Sequence, residues 1–451
     1  MANSSTRNMT TGNVTRHLIG FTLPLLFGNI FQQLYNLVDS AIVGNYVGKE
    51  ALGAVGSIGS LNFLVFSLCL GLGSGIGILV SQFFGAKQEE EVKVSIAQAV
   101  YVTLISGLIM SIIGAGLAKP ILILMRVPES NFHYALTYMR IVCGFNFINA
   151  VYNSISAILR SLGDSKTPLK FLFVASIINV GLDLLFVVKF HWGVGGAAFA
   201  TVISQCIAAI GSILYGMHIN PYLRLSKKHF RIRWDIIRRE VRMGLPLAAQ
   251  SSTIAISCAV LQSVVNGFGM DIMAAYTSTN RLEQLVQQPY NTLGITMSTF
   301  AGQNFGAGHL DRIKVAARKG LLLISCFSAI MVVVMYAFGR QLVGMFVDDE
   351  AVITIGSTGL KFTSLMYIFL GLIYVMRGLL NGVGDVFFSM MNGIVEVAGR
   401  IGFVFLLIGL FNLDYMAAWY TNGLTWSLTG IICVIRFYTG PWKRQKFKPL
   451  N

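Results

Sequence analysis

The chain has 451 residues, of which 55% are hydrophobic and 12% charged, with a mean hydropathy of +0.68 and a formal net charge of +15. Soluble domains carry about 25% charged residues, so this composition excludes a soluble globular protein and points to an integral membrane protein. The basic excess lies mostly in the N-terminal tail, alternate short loops and one central segment, which makes it a positive-inside topology signal rather than a nucleic-acid footprint.

Residues 1–17 are polar, and the first apolar run is too long for the core of a signal peptide. That run, Leu18 to Asn45, contains one formal charge, Asp39. Roughly 20 apolar residues cross the hydrocarbon of a bilayer, so the run predicts a first span. A carboxylate inside a span costs ~2.5–3.5 kcal/mol on insertion scales, and such residues are usually functional. Tyr35 precedes Asp39 by four residues, which places both on one helix face. Pro24, in the first third of the span, removes a hydrogen bond and loosens the helix. It is read either as a hinge or as a static kink.

Further spans are expected at about 53–84, 94–118, 136–159, 170–189, 194–217, 243–268, 273–305, 318–340, 353–376, 387–410 and 415–436. The fold class is therefore an all-α membrane protein with twelve transmembrane helices. Short outer loops at Tyr46–Leu52, Lys189–Gly193, Gly269–Ile272 and Phe411–Asp414 imply antiparallel neighbours. Both termini are expected in the cytoplasm. Residues 218–242 carry eight Lys or Arg. They read either as an amphipathic linker helix resting on anionic headgroups or as a solvated basic loop. The expected organisation is a bundle over 1–217, this linker, and a second bundle over 243–451.

The halves repeat at a constant offset in the numbering. Gln82, Phe84, Gly85 and Ala86 fall on Gln303, Phe305, Gly306 and Ala307; Gly163-Asp164 falls on Gly384-Asp385; Asn45 and Gly48 fall on Asn266 and Gly269. One offset held over most of each half indicates duplication. Six spans per copy give parallel copies related by a pseudo-two-fold axis along the membrane normal, with a substrate path between them.

Several local stretches carry a family resemblance: LPLLFGNIFQQLYNLVDSAIVG at 23–44, the paired Gln-x-x-Gly-Ala turns, LRSLGDSKTP at 159–168 and NRLEQLVQQP at 280–289. Together with the six-plus-six repeat and the basic linker, they resemble the multidrug and toxic compound extrusion (MATE) family over nearly the whole chain. The resemblance implies two bundles forming a V that alternately opens to each side. It also implies a monomeric, multi-pass protein of the cell (inner) membrane that exports small organic cations in exchange for H+ or Na+, with no cofactor. A lipid-linked saccharide flippase of the same superfamily is the alternative; it would favour extra spans and several cavity arginines. A non-transporting scaffold or receptor would need no polar constellation in one half.

Six polar residues in the first half stand where apolar ones are expected: Tyr35, Asp39, Asn153, Asn179, Asp183 and Thr201. Asn179 and Asp183 are again four apart. Two carboxylates with amide and hydroxyl oxygens suit a hard cation or an exchangeable proton. In the sequence these residues are scattered. The resemblance supplies their convergence, since they match the cation-binding positions of the family's first bundle, and Na+ would fall to Asp39, Asn153, Asn179, Asp183 and Thr201. The contrary reading is that Asp39 and Asp183 are neutral and only hold helices together. Moved by the repeat offset, with a slip of one position allowed near Pro24, the six become Ile256 or Ser257, Val260 or Leu261, Tyr374, Arg400, Val404 and Asn422. No carboxylate survives, so one cation site is expected, in the first half.

In the second half, Arg281, Glu283, Gln284, Met297 and Glu396 are candidates for a substrate cavity. The alternative for Glu396 is a local ion pair with Arg400, four residues on. The six cysteines sit singly inside apolar runs and show no metal-ligand spacing. Glycine runs such as Gly71, Gly73, Gly75 and Gly77 suit close helix approach rather than phosphate binding. No nucleophile–base set is present, and an enzyme is not expected.

Overall fold

The computed structural model describes residues 6–48, 51, 53–54, 59–124, 127, 129–444 and 447, without the side chains of 59–64 and 130. The expected loop Tyr46–Leu52 lies partly outside these residues. Among the described residues the regular elements are helical: Val14–Tyr46 (α1), Gly59–Gly85 (α2), Glu89–Gly116 (α3), Ala118–Leu124 (α4), Glu129–Gly144 (α5), Asn146–Ser161 (α6), Lys166–Asp183 (α7), Gly193–Ile219 (α8), Trp234–Asn266 (α9), Met270–Gly306 (α10), Leu310–Gly344 (α11), Glu350–Leu365 (α12), Tyr367–Gly382 (α13), Val386–Gly409 (α14) and Ala417–Thr439 (α15). Eight helices are long and apolar enough to cross a membrane alone, and the pairs α5–α6 and α12–α13 form two broken spans. Adding α10 and α15, with 37 and 23 residues, completes twelve.

The broken spans correct the continuous helices expected over 136–159 and 353–376. They bend by 47° and 48°, at Phe145 and Met366, which are equivalent positions of the repeat. Neither break has a proline. At the first, the backbone N–H of Phe147 is taken up by the Ser111 hydroxyl of α3 at 3.1 Å. A partner on a neighbouring helix thus replaces a helical hydrogen bond, as an interrupted span requires. The repeat also governs left-handed backbone. Gly48 and Gly269, Lys87 and Gly308, Gly163 and Gly384, and His191 and Asn412 all have positive φ, and the members of each pair stand at the same repeat offset.

The chain divides into two compact units. One comprises Met1–Asn8 and Leu23–Ser252, the other Met9–Thr22 and Thr253–Asn451. The divisions fall inside α1 and α9 rather than at a linker over 218–242. In the first unit, Ile42, Val43, Met139, Cys143, Val187 and Ala197 belong to one apolar core. There α2 and α9 meet backbone to backbone: a Cβ at Gly71 would lie 2.3 Å from the Ala248 nitrogen, and one at Gly75 2.3 Å from the Gly244 nitrogen. In the second unit, Trp419 fills the core beside Tyr276 and Val265 and donates its indole N–H to Thr279 at 3.2 Å. The extended N-terminal segment of this unit is held at Met9. Its N–H bonds Gln303 Oε1 at 2.9 Å, and its carbonyl accepts from Asn304 at 3.2 Å and Arg312 at 3.1 Å.

The linker is not an amphipathic helix. Two single 3₁₀ turns, Pro221–Leu223 and Lys227–Phe230, lead directly into α9 at Trp234. Asn220 and Pro221 end α8, since proline cannot continue the helix, and Asn220 Oδ1 accepts from the Tyr222 N–H at 3.0 Å. The segment is bolted to α3. Gln98 donates to the carbonyls of His229 and Arg231, both at 3.0 Å, and accepts from the Arg233 N–H at 3.1 Å. Ser95 bonds Glu240 at 2.8 Å. His229 Nδ1 accepts from the Ser226 N–H at 2.9 Å, which leaves the ring proton on Nε2, 3.2 Å from Glu90 Oε2.

Candidate cation site

The site of the first unit is assembled from five helices. α1 exposes Phe27, Leu34, Leu37 and Val38 and buries Asp39, 9% exposed. α7 likewise exposes Phe173, Val174 and Ile177 while Asn179 and Asp183 are fully buried. The apolar residues thus take the outer face and the carboxylates turn inward, as the cost of a charge against lipid demands. Directly after Asp183 the helix widens into a π turn, Leu184–Lys189, a geometry that recurs at functional positions.

Electrostatic interactions connect Asp183 with Asp39, and Tyr35 with both. Tyr138 of α5 interacts with all three, and Tyr35 also engages Gln205 of α8 and Tyr152 of α6. Tyr138, Tyr152 and Gln205 were not singled out from sequence. They are neutral polar residues within spans, a weak signal beside a formal charge. Asn153 and Thr201 direct their donors to their own helices. The Asn153 amide bonds the carbonyl and side chain of Asn149, and the Thr201 hydroxyl bonds Ala197 O at 3.1 Å.

The chemistry lies in what is left unpaired. Both side-chain heteroatoms of Asn179 are buried without a partner among the described residues, and the buried carboxyl groups of Asp39 and Asp183 meet each other rather than a donor from another residue. Buried polar groups without partners cost roughly 1–3 kcal/mol each, more when charged. A cation or a proton arriving between the carboxylates removes that cost. The donors are oxygens, which suit a hard cation, and the described residues contain no cluster of three or more His, Cys, Asp or Glu of a transition-metal kind.

Pro24 sits inside a continuous α1. The second-half candidates separate. Glu283 and Glu396 line one pocket with Arg377 and Arg400. Arg281 and Gln284 lie on the exposed face of α10, and Met297 is fully buried against Gly320 and Gly378, so none of these three lines it. Glu396 forms the local pair with Arg400 at 3.2 Å and is reached by Arg377 at 3.7 Å.

Twelve spans among the described residues, two of them broken, in an internally duplicated array with carboxylates turned away from the apolar surface, define a multi-pass membrane protein. The MatE family model matches residues 24–185 and 246–411, one match in each copy. The chain is 32% identical over 384 residues to the probable multidrug resistance protein YpnP of Bacillus subtilis (strain 168), covering 84% of each. It is 28% identical over 453 residues to the probable multidrug resistance protein YoeA of the same organism, covering 99% of this chain and 98% of the relative. A solved MOP superfamily transporter from Pyrococcus furiosus superposes with a TM-score of 0.91 at 20% identity, covering 98% of this chain and 99% of that one. The chain belongs to the MATE family of transporters.

Proposed function

We propose that this transporter exports organic cations across the cell membrane in exchange for inward H+ or Na+, both termini being cytoplasmic. The observation that carries the reading is the buried Asp39–Asp183 pair, two carboxyl groups in contact with no basic partner among the interactions recorded for them. The names of YpnP and YoeA, both described as probable multidrug resistance proteins, support drug export. Each monovalent ion moving down 100 mV supplies ~2.3 kcal/mol.

Occupancy of the pair by an ion or proton removes the repulsion between the two neighbouring carboxylates, and its release restores that repulsion. Asp39 rides on α1, and Pro24 interrupts the hydrogen bonding of that helix toward its start, so the change in occupancy is converted into movement of α1. Substrate leaves outward as the helix moves, and ion release inside resets the cycle.

Accumulation of a fluorescent organic cation by cells with and without the protein tests this. Expression of the wild type should lower accumulation and raise drug resistance, and Asp39→Asn at equal expression should do neither. Full transport by that variant would remove Asp39 from the coupling.

A further inference from the structure

The duplication carries the position of the cation site into the second unit, where a pocket of different chemistry lies. Its lining includes Tyr374, Arg400 and Asn422, the residues that the repeat places opposite Asn153, Asn179 and Thr201, and Leu261, one of the two positions that the repeat leaves open opposite Asp39. The carboxylate of α1 has become an aliphatic residue, Val260 or Leu261, and Asn179 has become Arg400. Two glutamates enter from positions that carry none in the first copy: Glu283 on α10 stands opposite Asn62, and Glu396 on α14 stands opposite Ala175. With Arg377 and Arg400 they give two cations and two anions around a cavity of about 120 Å³.

Most of these charges are already engaged. Glu396 is bracketed by Arg377 and Arg400. Arg400 also donates from one terminal nitrogen to Ser257 and to Cys258 Sγ, the latter at 3.2 Å. Two atoms remain. Glu283 Oε1, on a side chain 4% exposed, and Arg400 Nε, on one 5% exposed, are buried without a partner among the described residues. One is an anionic acceptor and the other a cationic donor, and both residues line the cavity. A lone cation would satisfy Glu283 and leave a net charge of one in a buried, balanced set, which is costly. A lone anion would do the converse. A molecule bearing both signs satisfies both atoms and keeps the set neutral. The cavity has room for a small amino acid.

We propose that the second unit binds a small zwitterion at this pocket, its ammonium on Glu283 Oε1 and its carboxylate on Arg400 Nε. Tyr276 sits at the same wall, where its oxygen accepts from Asn422 at 3.3 Å. The phenolic proton is thereby free to face a bound carboxylate. The site is separate from the Asp39–Asp183 pair and does not depend on the antiport reading.

Equilibrium binding of radiolabelled β-alanine to the full-length protein in lipid nanodiscs tests the assignment, with unlabelled propylamine and propionate as competitors. β-Alanine should bind saturably and resist competition by either single-charge analogue. Glu283→Gln should weaken binding by about tenfold or more, as loss of a charged hydrogen bond does. Arg400→Lys, which keeps the charge that Glu396 needs, should weaken it similarly, with the folded state checked by thermal unfolding. Asp39→Asn should bind as the wild type does. Competition by propylamine alone would make this a cation site and overturn the proposal. Absence of β-alanine binding by the folded wild type would also overturn it, leaving the four charges as a structural network.

Discussion

Asp39 and Asp183 are the residues on which the proposed coupled cycle rests. Both were legible in the sequence because a formal charge inside an apolar run is conspicuous. Tyr138, Tyr152 and Gln205 were not, because a neutral polar side chain in a span is compatible with lipid-facing, packing and site positions alike. The same limit hid the widening of the helix after Asp183, since Leu184–Lys189 reads as an ordinary apolar stretch. Conservative replacement separates the roles. Asp183→Asn should abolish gradient-dependent export at normal expression, because it removes one of two exchangeable carboxylates, as cation efflux from loaded vesicles would show. Tyr138→Phe keeps the ring and should leave the protein folded while changing the ion dependence of transport. An unchanged ion dependence would place Tyr138 outside the site. Gly163 presents a stability question instead. Its φ is +87°, and a Cβ there would lie 2.3 Å from Arg7 O. Gly163→Ala should therefore cost more than the ~1–2 kcal/mol of the left-handed conformation alone, read as a lowered Tm in detergent.

At the scale of elements, the apolar runs gave the number of spans, and their breaks escaped. Phe145 and Met366 carry no helix-breaking signature; the bends depend on partners such as Ser111 that belong to other helices. The linker misled for a related reason. Its basic residues suggested a surface helix, whereas a neutral glutamine on α3 decides its path. Gln98→Ala would leave two carbonyls and one N–H without their partner, costing about 2–3 kcal/mol locally. Brief trypsin treatment should then cut the variant faster than the wild type within 224–242, where Lys and Arg are dense. The glycines of α2 were read as contact surfaces, and Gly71 and Gly75 bear out that reading against the α9 backbone. Gly71→Val should destabilise the protein by about 3 kcal/mol or more, because backbone cannot yield as a side chain can.

For the whole molecule the informative fact is a duplication preserved in backbone and altered in side chains. Four pairs of left-handed residues and two bends keep one constant spacing along the chain. Asp164 and Asp385 show how far function has diverged on that frame. Asp164 caps α7 by accepting from Lys166 and Thr167 N–H, both at 3.0 Å, whereas Asp385 holds Arg436 at 2.8 Å and 3.2 Å. The equivalent sites diverge in the same way, one with two carboxyl groups in contact and the other with a set of two acidic and two basic side chains. Repeat offsets were legible because turns demand particular residues; the pocket of the second copy was legible in Glu283 and Glu396, whereas Arg377 was missed and Arg281, Gln284 and Met297 fall outside it. The proposed cycle requires transport driven by an ion gradient through the first copy. Purified protein in liposomes loaded with a fluorescent organic cation, subjected in turn to an imposed pH or Na+ gradient, measures this directly. Wild-type protein should move the cation against its gradient under one of the two conditions and Asp39→Asn under neither; movement independent of both gradients, or equal movement by the variant, would contradict the account.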